Sequence, residues 1–214
     1  NNTSIWVVNN SIETLQHIAH VHRMAFSLPV VGITGSNGKT ICKEWLFTLT
    51  KSKFQVVRSP KSFNSQIGVP LSVWGIKANH SLGVFEAGIS QKEEMNRLEA
   101  IIRPEFGILT HIGEAHGKNF ESESEKLIEK LNLFRHSKKL IYRATPNTTP
   151  IVIQTMQQIN PTCELVGWST TDPNQSIFVY WKITGKSSQL KFQKRNQSEP
   201  FISVQSQLHD EASL

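Results

Sequence analysis

The sequence predicts an α/β fold: a P-loop-containing, mainly parallel sheet with helices on both faces, plus a small antiparallel hairpin region near the C-terminus. Three observations predict it. Strand-like and helix-like patterns alternate from Pro29 to about residue 142, and such alternation is typical of parallel sheets covered by helices. A glycine-rich loop joins the first of these strands to the first of these helices. After about residue 160, two apolar runs flank a Gly-Lys-Ser-Ser turn, which indicates a hairpin.

Hydrophobic periodicity and chain breakers define the individual elements. The N-terminal segment is predicted to contain a short strand at 5–8 and a helix at 11–24, with Ser11 as its N-cap. The next strands are predicted at 30–34, 54–57, 82–86, 106–112 and 139–142, the helices at 39–51, 91–102 and 122–136, and an apolar segment near 67–76. The hairpin strands are predicted at 177–181 and 190–192, with a further strand at 201–204. Sites in such sheets lie beyond the carboxyl ends of the strands, so one crevice is expected to collect the strand-end residues.

Residues 32–40 read Gly-Ile-Thr-Gly-Ser-Asn-Gly-Lys-Thr, the local chemistry of a phosphate-binding loop. Gly35 and Gly38 allow backbone N–H groups to point inward, and the helix that follows directs the positive end of its dipole to the same point. Lys39 supplies a charge for the β- and γ-phosphates. The strict pattern G-x-x-x-x-G-K-[ST] fails by one residue, at Ile33, so a glycine turn with a surface lysine is the alternative. The predicted nucleotide-binding residues are Gly35, Ser36, Asn37, Gly38, Lys39 and Thr40.

Two side chains near the loop are predicted to bind Mg²⁺. The Thr40 hydroxyl follows the loop lysine, where a hydroxyl can ligate the ion that accompanies nucleotide phosphates. Glu86 ends an apolar strand, and a carboxylate there is costly unless it is paired or bound to a metal. The alternative for Glu86 is a strand-end glutamate in solvent.

Four motifs together resemble the Mur ligases, ATP-dependent amide ligases of peptidoglycan synthesis to which folylpolyglutamate synthetase is related. They lie at 34–40 (T-G-x-x-G-K-T), 63–70 (F-N-N-x-x-G-x-P), 85–88 (containing E-x-G) and 110–116 (T-N-I-G-x-A-H). Ser65 replaces the second Asn of the second motif, and His111 replaces the Asn of the fourth. The motifs follow the family's order, and the resemblance covers about residues 21–142.

The resemblance implies further roles. It places His116 near a second Mg²⁺ as a catalytic residue and metal ligand, with a loop histidine without ligands as the alternative. It implies that Asn64 contacts a phosphate or the acceptor region of the substrate. Lys39 and Lys130 are the implied catalytic lysines, Lys130 as a carbamate that would ligate the second Mg²⁺. Lys126, one helical turn away, is the competing assignment for that carbamate, and a solvated helix lysine is the other alternative.

The resemblance also implies the domain organisation and the activity. Residues 1–28 would be the tail of the N-terminal, UDP-sugar-binding domain with its linker, and residues 29–214 the central ATP-binding domain, with the C-terminal domain absent. The similarity is greatest to the subtype that adds D-Ala-D-Ala to UDP-MurNAc-tripeptide through an acyl phosphate, in the form fused to an alanine racemase beyond residue 214. Such a fragment is expected to bind ATP and Mg²⁺ weakly and to be inactive alone. The alternatives are another Mur or folylpolyglutamate-type ligase, a P-loop kinase or NTPase, and a nucleotide-binding scaffold without turnover.

Composition narrows the class of protein further. The chain has 214 residues, 38% of them hydrophobic, which suffices for one large domain or slightly more. The net charge of +6 comes from scattered basic residues, so an anionic small molecule rather than nucleic acid is the expected partner. Two cysteines form neither a disulfide framework nor a metal pattern. No membrane insertion and no signal peptide are predicted, and a reducing cytoplasm is the expected location.

Overall fold

The computed structural model describes residues 5–113, 119–184, 187–195 and 202–207. Its strands are Val30–Thr34 (β1), Val56–Arg58 (β2), Leu82–Glu86 (β3), Phe106–Leu109 (β4), Lys139–Arg143 (β5), Glu164–Ser169 (β6), Ile177–Thr184 (β7), Ser187–Lys194 (β8) and Ile202–Gln207 (β9). Its helices are Ser11–Met24 (α1), Lys39–Thr50 (α2), Gly68–Val73 (α3), Glu94–Ile102 (α4), Glu123–Leu131 (α5) and Thr149–Ile159 (α6), with a 3-10 turn at Asn132–Phe134. No helix in the described ranges has the length and hydropathy needed to cross a bilayer.

The nine strands of the described residues form one sheet, in the order β2-β3-β1-β4-β5-β6-β7-β8-β9. All pairs from β2 to β7 are parallel, and β8 and β9 add antiparallel strands at one edge. The predicted fold class is therefore confirmed. The hairpin continues the main sheet, because β7 pairs with β6 through Trp168 and Ser169. The parallel arrangement brings the carboxyl ends of β1, β3 and β4 to the same edge.

Helices cover both faces of the sheet because consecutive strand residues point to opposite sides. On one face, Val31 and Ile33 of β1 pack with Cys42 and Leu46 of α2. On the other, Val30 and the apolar residues of neighbouring strands join a larger cluster with α1 and α3–α6. The apolar side of α4 belongs to that cluster, since Met95, Leu98 and Ile102 are buried there. The core thus fixes β1 and α2, the two elements that flank the glycine-rich loop.

The N-terminal segment differs from the prediction in two details. Asn10, not Ser11, is the N-cap of α1, and its side-chain oxygen accepts hydrogen bonds from the N–H groups of Ile12 and Glu13 at 3.0 and 3.1 Å. The predicted strand at 5–8 is wrong: these residues are exposed, with Trp6 77% accessible, and pair with no strand of the described chain. The helix α1 packs on α3 and α4, and Arg23 donates from Nε to the carbonyl of Ile102 at 3.0 Å.

Other boundaries shift, and two elements were missed. The observed β1 and β3 agree with the predicted strands, whereas β2 begins two residues later and β4 ends three residues earlier than predicted. The predicted helix at 122–136 ends as a helix at Leu131 and continues as a 3-10 turn. The elements α6 and β6 were not predicted. The first turn of α6 contains Pro150, followed by β-branched residues of modest helix propensity, so local sequence gives a weak signal there.

Candidate nucleotide-binding site

The loop between β1 and α2 is shaped to bind an anion. Gly35 and Gly38 have φ angles of +149° and +83°, which residues other than glycine rarely adopt. The helix α2 begins directly after Gly38 and has no side-chain cap, so the N–H groups of its first turn remain available to a ligand. The Ser36 hydroxyl is buried and has no hydrogen-bond partner among the described residues. Free donors at a helix N-terminus favour a bound anion such as phosphate.

The residues that follow β4 hold this loop in place. The carbonyl of His111 accepts hydrogen bonds from the N–H of Ser36 at 2.8 Å and, at 3.5 Å, from that of Asn37. The Thr110 hydroxyl donates to the carbonyl of Asn37 at 2.7 Å. His111 is the residue that replaces the Asn of the fourth motif. Its contribution is made by the main chain, which the identity of a side chain cannot reveal.

Two lysines converge on one carbonyl of the loop. Lys39 donates from Nζ to the carbonyls of Gly35 and Ser36 at 3.0 and 3.2 Å, and Lys130 donates from Nζ to the same Gly35 carbonyl at 3.1 Å. Burial, followed by the charges of Lys39 and Lys126, lowers the pKa of Lys130 to about 7. Burial also lowers the pKa of Lys39, opposed by the charge of Glu86. Positive groups this close need an anion, which a nucleotide phosphate would supply.

The predicted Mg²⁺ ligands lie together beneath the loop. Glu86 is fully buried, and its Oε2 accepts a hydrogen bond from the Thr40 hydroxyl at 3.1 Å. Its Oε1 lies 2.9 Å from Nζ of Lys43 as an ion pair but accepts no well-formed hydrogen bond within the described chain. A buried carboxylate beside a hydroxyl offers the oxygen ligands that a hard cation prefers. Sequence reasoning missed Lys43, although a lysine on the inward face of an otherwise apolar helix side was a usable signal.

The donor set is small for a metal. No group of three or more His, Cys, Asp or Glu side chains able to hold an ion occurs within residues 5–113, 119–184, 187–195 and 202–207. Mg²⁺ commonly keeps several waters and binds through one or two carboxylates together with substrate phosphates. Glu86 and Thr40 therefore fit Mg²⁺ bound along with a nucleotide rather than a metal held by protein alone. His116, the other predicted ligand, lies outside the described residues.

A cleft of about 800 Å³ opens above the loop. Its walls include most of the predicted site residues: Gly35, Ser36, Asn37, Lys39, Asn64, Lys126 and Lys130. Gly38, Thr40 and Glu86 are not part of its wall. Asn64 is held close by its carbonyl, which accepts a hydrogen bond from the N–H of Gly88 at 2.7 Å. The helix α1 also contributes Ile12 to the wall. The volume of the cleft is large enough for a nucleotide phosphate and a second reactant.

The sequence of the chain matches a known family over most of its length. The model of that family, described as the Mur ligase middle domain, matches residues 33–209. The chain belongs to the Mur ligase family. Its membership removes the P-loop kinase alternative and confirms the resemblance that the four motifs carried.

Among relatives of this Mur ligase domain are two proteins named UDP-N-acetylmuramoyl-tripeptide–D-alanyl-D-alanine ligase. The one from Bacillus subtilis is 31% identical over 144 residues, which are 66% of this chain and 32% of that protein. The one from Borreliella burgdorferi is 31% identical over 183 residues, 85% of this chain and 39% of that protein. The crystal structure of MurF ligase from Thermotoga maritima in complex with ADP has the same fold, with a TM-score of 0.77 at 24% identity over 96% of this chain and 46% of that one. The chain thus spans less than half the length of these relatives.

Within the Mur ligase domain, the structure distinguishes the two lysines that competed for one role. Lys130 is 2% exposed and reaches the loop carbonyl, whereas Lys126 is half-buried and lines the cleft without a described hydrogen bond to the loop. A carbamate forms on a neutral amine, and a lowered pKa provides one. The geometry therefore favours Lys130 over Lys126, and its carbamylation stays a prediction.

Proposed function

We propose that this chain is the ATP-binding part of an amide ligase of peptidoglycan precursor synthesis, which joins D-Ala-D-Ala to UDP-MurNAc-tripeptide through an acyl phosphate. The observation that carries the proposal is the convergence of Lys39 and Lys130 on the Gly35 carbonyl, together with the hydrogen bond from Thr40 to Glu86. The names of the two relatives at 31% identity support the choice of substrates. The similarity to an ADP-bound ligase supports ATP as the nucleotide.

The proposed reaction has two steps. A carboxylate oxygen of the tripeptide attacks the γ-phosphorus of ATP, and the bond from that phosphorus to the bridging oxygen breaks, which releases ADP. The amine of D-Ala-D-Ala then attacks the acyl carbon, phosphate leaves, and the amine loses a proton to solvent. Phosphoryl transfer depends mainly on positioning and on charge stabilisation. Lys39 and the uncapped N–H groups of the first turn of α2 would stabilise the negative charge on the transferring group.

Glu86 and Thr40 would hold Mg²⁺ together with the phosphates, and the bound ion would neutralise part of their charge. The buried carboxylate of Glu86 and the hydroxyl of Thr40, 3.1 Å apart, support this assignment. Lys130, as its carbamate, and His116 remain the proposed ligands of a second ion. Asn64, on the wall of the cleft, would orient the carboxylate or the phosphate by hydrogen bonds.

The remaining parts of the reaction are proposed to depend on regions outside this chain. Residues 1–28 would connect to a domain that binds the UDP-sugar, and a C-terminal domain would bind the incoming amine, with an alanine racemase fused beyond it. The isolated chain is accordingly proposed to bind Mg²⁺-ATP without forming an amide. ATP-dependent precursor synthesis is proposed to take place in the cytoplasm. Acceptor assays with the full-length protein, using each muramyl peptide and folate, would distinguish this subtype from other ligases of the same fold.

Lys39→Ala is expected to weaken the binding of Mg²⁺-ATP at least tenfold, because it removes the positive charge proposed to contact the phosphates in a partly buried site. Isothermal titration calorimetry on the wild-type chain and the variant measures the change. Lys53→Ala, which removes an exposed lysine in the turn after α2, is the matched control and is expected to leave the affinity unchanged within twofold. Equal affinities of the wild type and Lys39→Ala would contradict the proposed phosphate site.

A further inference from the structure

Lys43 is a fully buried lysine that the proposed reaction does not use. It lies one turn after Lys39 on α2, and its side chain has no exposed surface. Its Nζ lies 2.9 Å from Oε1 of Glu86 and donates to the carbonyl of Ser59 at 2.8 Å and to that of Lys61. Its fourth contact is Oε1 of Glu44, at 3.2 Å. An ammonium group without access to water requires such partners, because burying an unpaired charge is costly.

The charges around Lys43 divide into two pairs. Glu44 is 44% exposed and has its own partner in Arg58, whose Nη2 lies 3.1 Å from its Oε2. Glu86 has no exposed surface, and within the described chain Lys43 is its one cation closer than 4.0 Å. Lys43 therefore compensates the charge of Glu86, while Glu44 is neutralised at the surface by Arg58 and by solvent.

We propose that Lys43 is the resident counter-ion of Glu86 and that it prevents divalent cations from binding this carboxylate when no nucleotide is present. A carboxylate that is already compensated attracts a dication weakly, and the nearby Lys43 charge repels the ion. Nucleotide phosphates add several negative charges at the loop, so the cation gains affinity only together with them. The inference rests on the proposed role of Glu86 and Thr40, and it makes Lys43 a positioning residue that orders the binding of metal and nucleotide.

A purely structural role for Lys43 has a different consequence. Its two carbonyl contacts tie α2 to residues 59–61, which precede the Asn64 segment, and their loss alone would lower stability without raising affinity for a cation. Loss of the counter-ion, in contrast, leaves Glu86 buried, negative and unpaired, and such a group gains by recruiting a cation. Metal affinity in the absence of nucleotide therefore separates the two roles.

The test uses Mn²⁺ alone, as an analogue of Mg²⁺ with the same preference for oxygen ligands, titrated into the nucleotide-free 214-residue chain. Lys43→Met is expected to bind Mn²⁺ about tenfold more tightly than the wild type, by calorimetry and by the electron paramagnetic resonance signal of free Mn²⁺. The gain is expected to vanish in Lys43→Met/Glu86→Gln, which removes the carboxylate. Lys43→Arg, which keeps the charge, and Lys53→Met, which removes an exposed one, are expected to match the wild type. Mn²⁺ affinity that is unchanged in a folded Lys43→Met variant would overturn the proposal.

A second measurement tests the proposal if Lys43→Met is too unstable to fold. If Lys43→Met does not fold in metal-free buffer, its refolding yield is measured against Mn²⁺ concentration, because a ligand that binds only the native state stabilises it. Recovery by Mn²⁺ that is absent from the Glu86→Gln double variant supports the counter-ion, and no recovery overturns it. The nucleotide site is tested separately by the Mg²⁺-ATP titration of Lys39→Ala. If Lys43→Met binds Mn²⁺ more tightly but the wild type does not bind Mg²⁺-ATP, the counter-ion role of Lys43 is supported and the proposed function is contradicted. If the wild type binds Mg²⁺-ATP but Lys43→Met gains no affinity for Mn²⁺, the proposed function is supported and the counter-ion role is contradicted.

Discussion

Replacing Lys130 by methionine is expected to stabilise the folded chain at pH 6 by roughly 3–5 kcal/mol, because the substitution removes a charge whose burial lowers its pKa from 10.5 to about 7. The Lys130 side chain is 2% exposed and has one hydrogen bond to a loop carbonyl, while the charges of Lys39 and Lys126 oppose its own. Methionine fills a similar volume without a charge. The lost hydrogen bond costs about 1 kcal/mol and reduces the gain.

The pH dependence follows from the lowered pKa of Lys130. Its ordinary value of 10.5 applies to the unfolded chain, and its value in the folded chain is about 7. Below pH 7 both states carry the proton, so the cost of burying the charge is fully present. Between pH 7 and 10.5 the unfolded chain still binds the proton that the folded chain has lost, so the stability of the wild type rises with pH. The advantage of Lys130→Met is therefore largest at pH 6 and decreases toward pH 10.

Urea unfolding of the wild type and Lys130→Met at pH 6, 7, 8 and 9 measures this difference. Lys126→Met is the matched control, since this lysine lies one turn away on the same helix and is only half-buried. It is expected to change stability by less than about 1 kcal/mol at every pH. Parallel curves of stability against pH for the wild type and Lys130→Met would show that Lys130 is not held in a low-pKa environment.

The same low pKa bears on the proposed carbamate. A neutral amine can attack CO₂ and release a proton, so a bicarbonate buffer at pH 8 supplies the reagent to a lysine that is largely neutral there. A bicarbonate-dependent change in stability that occurs in the wild type and is absent from Lys130→Met would support carbamylation. The adduct is labile, which makes this comparison preferable to measuring mass.

Local sequence was sufficient for the elements whose pattern is unambiguous. The strand at 82–86 begins and ends as predicted, because a strand buried on both faces leaves an apolar run, here uninterrupted from Leu82 to Phe85 before Glu86. The anion loop was also predictable, since only glycine adopts the φ angles observed at Gly35 and Gly38 without strain. The segment at 5–8 has a similar apolar run but pairs with no described strand, and sequence alone cannot tell whether a partner exists.

The contacts that complete the site could not be predicted, because they join residues that are distant in sequence. The Lys43–Glu86 pair spans 43 positions and the Lys130–Gly35 hydrogen bond spans 95. Nothing in the residues around Lys130 distinguishes this buried lysine from Lys126, the half-buried lysine on the same helix. Only the family resemblance singled it out, and the structure added the burial and the lowered pKa.

Gly35→Ala is expected to lower the free energy of unfolding by roughly 3–5 kcal/mol and the affinity for Mg²⁺-ATP by about 100-fold or more. The new Cβ would overlap the Thr110 hydroxyl and lie 3.0 Å from the Cβ of Thr110 and 3.2 Å from the carbonyl oxygen of His111. The φ angle of +149° is strained for alanine as well. The overlap and the backbone strain both displace the loop from Thr110 and His111, which hold it in place. The backbone N–H groups at the start of α2 then no longer point to one bound phosphate. Urea unfolding and calorimetric titration of Mg²⁺-ATP measure the two losses.

Gly38→Ala separates steric overlap from backbone strain, because Gly38 also has a positive φ, of +83°, but a Cβ there meets no atom within 4 Å. It is expected to cost only about 1–2 kcal/mol of stability, the strain of a left-handed alanine. A double-mutant cycle of Gly35→Ala with Thr110→Ala is expected to give a coupling free energy of about 1–2 kcal/mol, since the second change removes the overlapping hydroxyl. Equal losses of stability in Gly35→Ala and Gly38→Ala, together with no coupling between Gly35→Ala and Thr110→Ala, would contradict this prediction. They would show that the loop is not held against Thr110 in solution. With coupling present, the strand-end contacts after β4, and not the glycines alone, give the phosphate loop its shape.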